Sequence, residues 1–145
     1  MSTTETRHKR PAGITASCWI LGLNAFVGFR GATFVRERFL AVDPQALRAP
    51  AGTVAALLSA VMIAYGAAAL TAAIGLWSMR KWALRAYAAW VFVACSYTAV
   101  ASALLRFPTD TGSLLGLAAV EVVFVGIAFA WWYYMRHLYR RVGAL

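Results

Sequence analysis

Apolar residues in this chain come in four long runs, separated by short polar or basic breaks. The runs cover about residues 13–29, 52–77, 82–105 and 113–134. None shows the one-sided stripe of a helix lying on a soluble core; the runs are greasy all round. At 1.5 Å per residue each is long enough to cover much or all of a hydrocarbon core of about 30 Å. The pattern predicts an all-α, polytopic membrane protein: four transmembrane helices in one antiparallel up-down bundle. Residues 1–12 and 135–145 are left as basic tails, and 30–51 as one external loop.

The breaks fit that layout. "SMRK" separates the second and third runs, which forces an antiparallel hairpin. "RFPTDTG" separates the third and fourth; Pro108 and Gly112 stop a helix there, and Asp110, Thr111 or Ser113 suit the next N-cap. Pro11 suits a first helical turn, where its missing N–H is no loss. The first run follows the basic segment "RHKRP", as in a signal peptide. No small-x-small cleavage pattern follows it, so it reads as an uncleaved span.

The loop 30–51 contains "FVRERFLAVDPQALRAP". Phe34, Val35, Phe39 and Val42 fall on one helical face, with Arg36, Glu37 and Arg38 off it. A short helix lying in the outer interface and an irregular loop both fit. Asp43-Pro44 reads as an N-cap followed by proline at a first helical position.

Composition strengthens the membrane reading. The chain is 62% hydrophobic and 13% charged, against a charged share of about 25% in soluble domains. Its mean hydropathy is +0.67. The net charge of +9 would suggest nucleic acid in a soluble protein. Here the basic residues sit between apolar runs, so orientation and anionic lipids explain them better, and no nucleic-acid partner is expected. Nine Lys and Arg lie on the side of the two tails and the second connection: Arg7, Lys9, Arg10, Arg80, Lys81, Arg85, Arg136, Arg140 and Arg141. Five lie on the other: Arg30, Arg36, Arg38, Arg48 and Arg106. The bias predicts both termini in the cytoplasm of a bacterial inner (plasma) membrane. Trp77, Trp82 and the stretch Trp131 to Tyr134 then fall at the cytoplasmic interface, where tryptophan and tyrosine concentrate.

Candidate chemistry is sparse. Cys18 and Cys95 form no C-x-x-C motif and fall within apolar runs; His8 and His137 lie in the tails. No zincin, nucleophile-elbow, phosphate-loop or Rossmann pattern occurs. No catalytic residue, cofactor or metal is expected, and the chain reads as a non-enzyme. Small residues in "AYGAAALTAAIG", including Gly66, Ala69 and Ala73, and the G-x-x-x-G of Gly112 and Gly116 suit close helix contact, within a bundle or between protomers.

One residue breaks the apolar pattern. Glu121 sits in "GLAAVEVVFVGIAF", where every other residue is apolar or glycine. A carboxylate there costs about 2.5–3.5 kcal/mol on insertion scales and must face the bundle or a wet cavity. Depth matching sets Asn24, Ser96 and Tyr97 at a similar level, with Tyr65 nearer the midplane. Asn24, Ser96, Tyr97 and Glu121 are thus a candidate intramembrane polar layer. Cys95, Thr98, Ser102 and Arg106 make a weakly polar stripe toward the outer surface. Arg106, the basic residue at that end, is an alternative partner for Glu121; it lies about two helical turns away, too far for direct contact without water or a helix offset. The layer serves either interhelical hydrogen bonding or a proton- or cation-coupled path.

Three stretches carry a resemblance: "RPAGIT" at the first span, "GLWSMRKWALR" at the hairpin and "WWYYMRHLYRR" at the end. Together they resemble a loosely defined group of small four-helix membrane proteins of bacteria and archaea. The chain departs from that group's usual Arg-Pro near the end of the last helix, reading Arg136-His137. The resemblance implies the four-helix architecture and no catalytic residue. The leading expectation is a non-enzymatic accessory, assembly or stabilising subunit, with a protein partner or a homo-oligomer in the bilayer. The alternative is a small transporter or channel component using Glu121; a weaker one is an immunity or stress-type protein.

Overall fold

The computed structural model describes residues 11–40, 47–104 and 111–141. They form four helices: α1 (Ala12–Leu40), α2 (Ala51–Trp77), α3 (Ala83–Leu104) and α4 (Thr111–Arg141). All four contain segments long and apolar enough to cross a membrane, the shortest being 22 residues, or about 33 Å at 1.5 Å per residue. The large side chains turned outward are apolar: Trp19 is 73% exposed and Phe92 74%. A soluble protein would not present such a surface; lipid is its natural solvent. The chain is a small four-helix membrane protein.

Within a bilayer, helices gain little by hiding apolar side chains from lipid, so close packing of small residues has to hold them. α1 and α2 show this. They run antiparallel and share the largest interface in the bundle. At their crossing, a Cβ on Gly28 would lie 2.7 Å from Gly66 Cα and 2.8 Å from Gly66 N. Only glycine permits that approach. Hydrogen bonds flank it: Ser59 Oγ donates to Ala32 O at 3.0 Å, and the Cys18 thiol to Ala73 O at 3.6 Å.

The α2–α3 turn is tight because α2 ends in a Schellman cap. Arg80 N–H reaches back to Gly75 O and Met79 N–H to Leu76 O, at 3.0 and 3.1 Å. That cap needs a left-handed residue, and Met79 supplies it with φ 52°. Trp82 then folds against Gly75, where a Cβ would meet the indole at 2.7 Å.

α2 and α3 keep nearly the expected bounds, whereas α1 and α4 overrun theirs. α1 continues as helix to Leu40, through the first part of the expected external loop. Ala32 and Val35 are buried in this extension, and Val35 joins Val54, Leu58 and Ala101 in a small core. The stretch therefore packs on the start of α2 instead of lying flat in the interface. Phe34 points outward beneath the Arg38 guanidinium, 5.2 Å from its ring centre. Val42, Asp43 and Pro44 lie outside the described residues, as does Asp110; Pro50 occupies the position before α2. Pro11 likewise precedes α1, its carbonyl accepting from Ile14 N–H.

α4 runs to Arg141, seven residues past its expected end. Ala128, Met135 and Tyr139 form one buried stripe at helical spacing. Met135 and Tyr139 belong to the main core with Ile14, Leu76, Leu84 and Trp90. That core lies at the turn end of the bundle, the end that holds the α2–α3 turn.

Two substitutions test these contacts through unfolding in detergent. Gly66→Leu is expected to cost about 1–3 kcal/mol by forcing α1 and α2 apart, whereas Gly22→Leu, with open space around it, stays within about 0.5 kcal/mol of the parent. Met79→Gly is expected to stabilise by up to about 1 kcal/mol by removing the left-handed penalty; a loss of stability would show that Met79's packing outweighs its backbone cost.

Candidate functional site

Glu121 projects from the half of α4 away from the turn end. It lines a cavity of about 360 Å³ to which all four helices contribute. α1 gives Val27; α2 gives Met62 and Tyr65; α3 gives Ala94, Cys95, Tyr97 and Thr98; α4 gives Val120, Glu121 and Phe124. Val27 and Val120 are 50% and 69% exposed, so α1 and α4 part here and the cavity opens sideways.

The attachment of α4 at its turn end leaves this space. At the turn end α4 is well held. Trp131 Nε1 donates to Ser17 Oγ at 2.9 Å, and Ser17 Oγ donates to Gly13 O at 2.7 Å. Tyr134 covers Gly13, where a Cβ would come within 3.0 Å of its ring. Tyr87 OH donates to Ala128 O at 3.4 Å. Toward the loop end no such anchor occurs among the described residues. Nothing lies within 4 Å of a Cβ placed on Gly116 or Gly126, and Val122 and Val123 face outward. The Gly112–Gly116 pattern thus brings no neighbour to Gly116 within the described bundle.

The expected polar layer divides in two. Tyr97 and Glu121 share the cavity. Asn24 pairs instead with Tyr65, its Oδ1 accepting from the phenol while its Nδ2 donates to Ile20 O at 2.8 Å. The two parts meet at Tyr65, which both bonds Asn24 and lines the cavity. Ser96 donates to Phe92 O of its own helix at 2.9 Å and lies outside the lining. Of the polar stripe on α3, Cys95 and Thr98 line the cavity and Ser102 bonds back to Ala99 O. Arg106 lies outside the described residues. Glu121 is partly buried, and no ion pair or hydrogen bond to its carboxylate occurs among the described residues.

An aromatic cluster floors the site. Trp90 stands 5.8 Å from Tyr65, 5.4 Å from Tyr87 and 6.2 Å, edge to face, from Phe124. Its indole Nε1 is buried. Sequence reasoning missed this group. The available signal was position: Trp90 sits well inside the third run, away from the interfaces that tryptophan favours in membranes.

No three His, Cys, Asp or Glu side chains cluster among the described residues. What the site offers is one carboxylate, hydroxyls on Tyr97 and Thr98, and a largely apolar and aromatic wall. The chain matches no family model, no curated protein and no solved structure.

The Asn24–Tyr65 bond links α1 to α2 and shapes the cavity's inner wall. A double-mutant cycle with Asn24→Leu and Tyr65→Phe, read by unfolding in detergent, is expected to give a coupling of about 0.6–1.7 kcal/mol, the range of interhelical hydrogen bonds in a membrane protein. A coupling of zero would mean the two side chains act independently.

Proposed function

We propose that this protein is a non-enzymatic accessory, assembly or stabilising subunit of a membrane complex. The supporting observation is the state of α4. Its turn-end half is anchored in the core, while the other half presents Gly116, Ala118, Ala119, Val122 and Val123 outward. Small residues on an unfilled helix face let another transmembrane helix approach closely. The described residues leave little mass outside the membrane to house a separate catalytic domain. Placement in a bacterial inner membrane with both termini cytoplasmic goes with this reading, as does contact between anionic lipids and the basic turn end; the distribution of Lys and Arg supports both. Membership in the group of small four-helix proteins it resembles belongs to the same reading.

A second reading, a small transporter or channel component, is favoured by a separate observation. Glu121 lies in a cavity that opens sideways. Ionisable groups at such depth mark ion or substrate paths more often than chance would give.

Mild-detergent capture of the full chain from its native membrane, followed by mass spectrometry, separates the two. The subunit reading expects a stoichiometric partner whose yield falls at least about tenfold with Gly116→Leu, while the bundle's own stability is unchanged because that site is open. A chain recovered alone or as a homo-oligomer, with ion flux in liposomes that Glu121→Gln removes, would replace it with the transporter reading.

A further inference from the structure

We propose that the cavity around Glu121 binds one hydrophobic monovalent organic cation, an ammonium carrying alkyl or aromatic bulk, which enters sideways from the bilayer. The inference rests on the second reading above and gives its site a ligand class.

Size comes first. A volume of about 360 Å³ falls at the small end of the ~300–1,000 Å³ of small-molecule sites, whose walls are mostly apolar with a few polar groups. Charge narrows the choice. Glu121 is the single acidic residue in the lining, and no basic side chain among the described residues pairs with it. A charged carboxylate left unpaired at this depth is costly, and a bound cation of charge +1 offsets that cost one for one, as a proton does. A neutral lipid tail would fill the space and leave that cost standing.

The wall decides which cation. A hard ion such as Ca²⁺ takes six to eight oxygen ligands, and Mg²⁺ keeps several waters. Glu121, Tyr97 and Thr98 cannot supply that many, and the aliphatic residues beside them cannot replace water. Tyr65, Tyr97 and Phe124 instead bring aromatic rings, the partners that weakly hydrated organic ammonium groups favour. The route follows from exposure: Val27 and Val120, which line the cavity from α1 and α4, are both turned outward.

The test uses the full chain in zwitterionic phosphatidylcholine vesicles, with protein-free vesicles of equal lipid as the reference. Equilibrium dialysis compares benzyltrimethylammonium with neopentylbenzene, which has the same shape with carbon in place of the charged nitrogen. Saturable binding of one cation per chain is expected, at least about tenfold tighter than the neutral compound. Glu121→Gln should abolish that preference and Glu121→Asp should retain most of it. Equal binding of the two compounds, no binding above the lipid reference, or a preference that survives Glu121→Gln would overturn the proposal. The comparison on the parent chain needs no variant, so a misfolded mutant does not blunt it. A stable dimer that seals Glu121 against a second copy and binds no cation would also overturn it. Binding is read without flux: a cation bound but not carried keeps this inference and removes the transport reading, while flux with no preference for the cation does the reverse.

Discussion

The contact between the Gly28 and Gly66 backbones is the constraint on which the bundle depends. Lipid gives helices no hydrophobic reason to associate, so two of them must fit closely enough for dispersion and short polar bonds to hold. Glycine at both positions brings the α1 and α2 axes together. That approach in turn brings Ser59 within reach of Ala32 O, Cys18 within reach of Ala73 O and Tyr65 within reach of Asn24. The α2–α3 turn then carries α3 onto the other side of α2. Three helices form a unit before α4 is considered.

α4 is attached differently. Its bonds are those of large side chains at one end: the Trp131 indole on Ser17, Tyr134 over Gly13, and Met135 and Tyr139 in the core. Aromatic residues that interface physics would place at a membrane surface serve here as tertiary anchors as well. The cavity results from these two modes of packing, close at α1–α2 and one-sided at α4. Glu121 lies where the second mode runs out.

Much of this was legible in the run lengths. The four helices, their antiparallel order and the bounds of α2 and α3 follow from where apolar residues stop. α1 and α4 extend beyond their apolar runs because a charged side chain does not end a helix. Arg30, Arg36 and Arg136 do not interrupt backbone hydrogen bonding; long basic side chains reach outward while the helix beneath continues. Depth along the helices sets Glu121 level with Tyr97, and both line the cavity. Asn24 was not matched to Tyr65, since counting residues along straight, parallel axes ignores how far a tyrosine reaches across a close helix crossing. Trp90 went unremarked because tryptophan in a membrane protein is first read as an interfacial residue.

The one-ended attachment of α4 has a mechanical consequence. The apolar run of α4, about residues 113–134, is about 33 Å long, close to a hydrocarbon thickness of about 30 Å, and a helix that outgrows a thinner bilayer accommodates the difference by tilting. α1, α2 and α3 constrain one another's angles, whereas α4 is pinned at its foot and, above it, exposed at Gly116, at 118–120 and at 122–127. Its inclination therefore answers to the thickness of the surrounding lipid more than theirs does. The width of the gap between Val27 and Val120 follows that inclination, which makes bilayer thickness a lever on the mouth of the cavity.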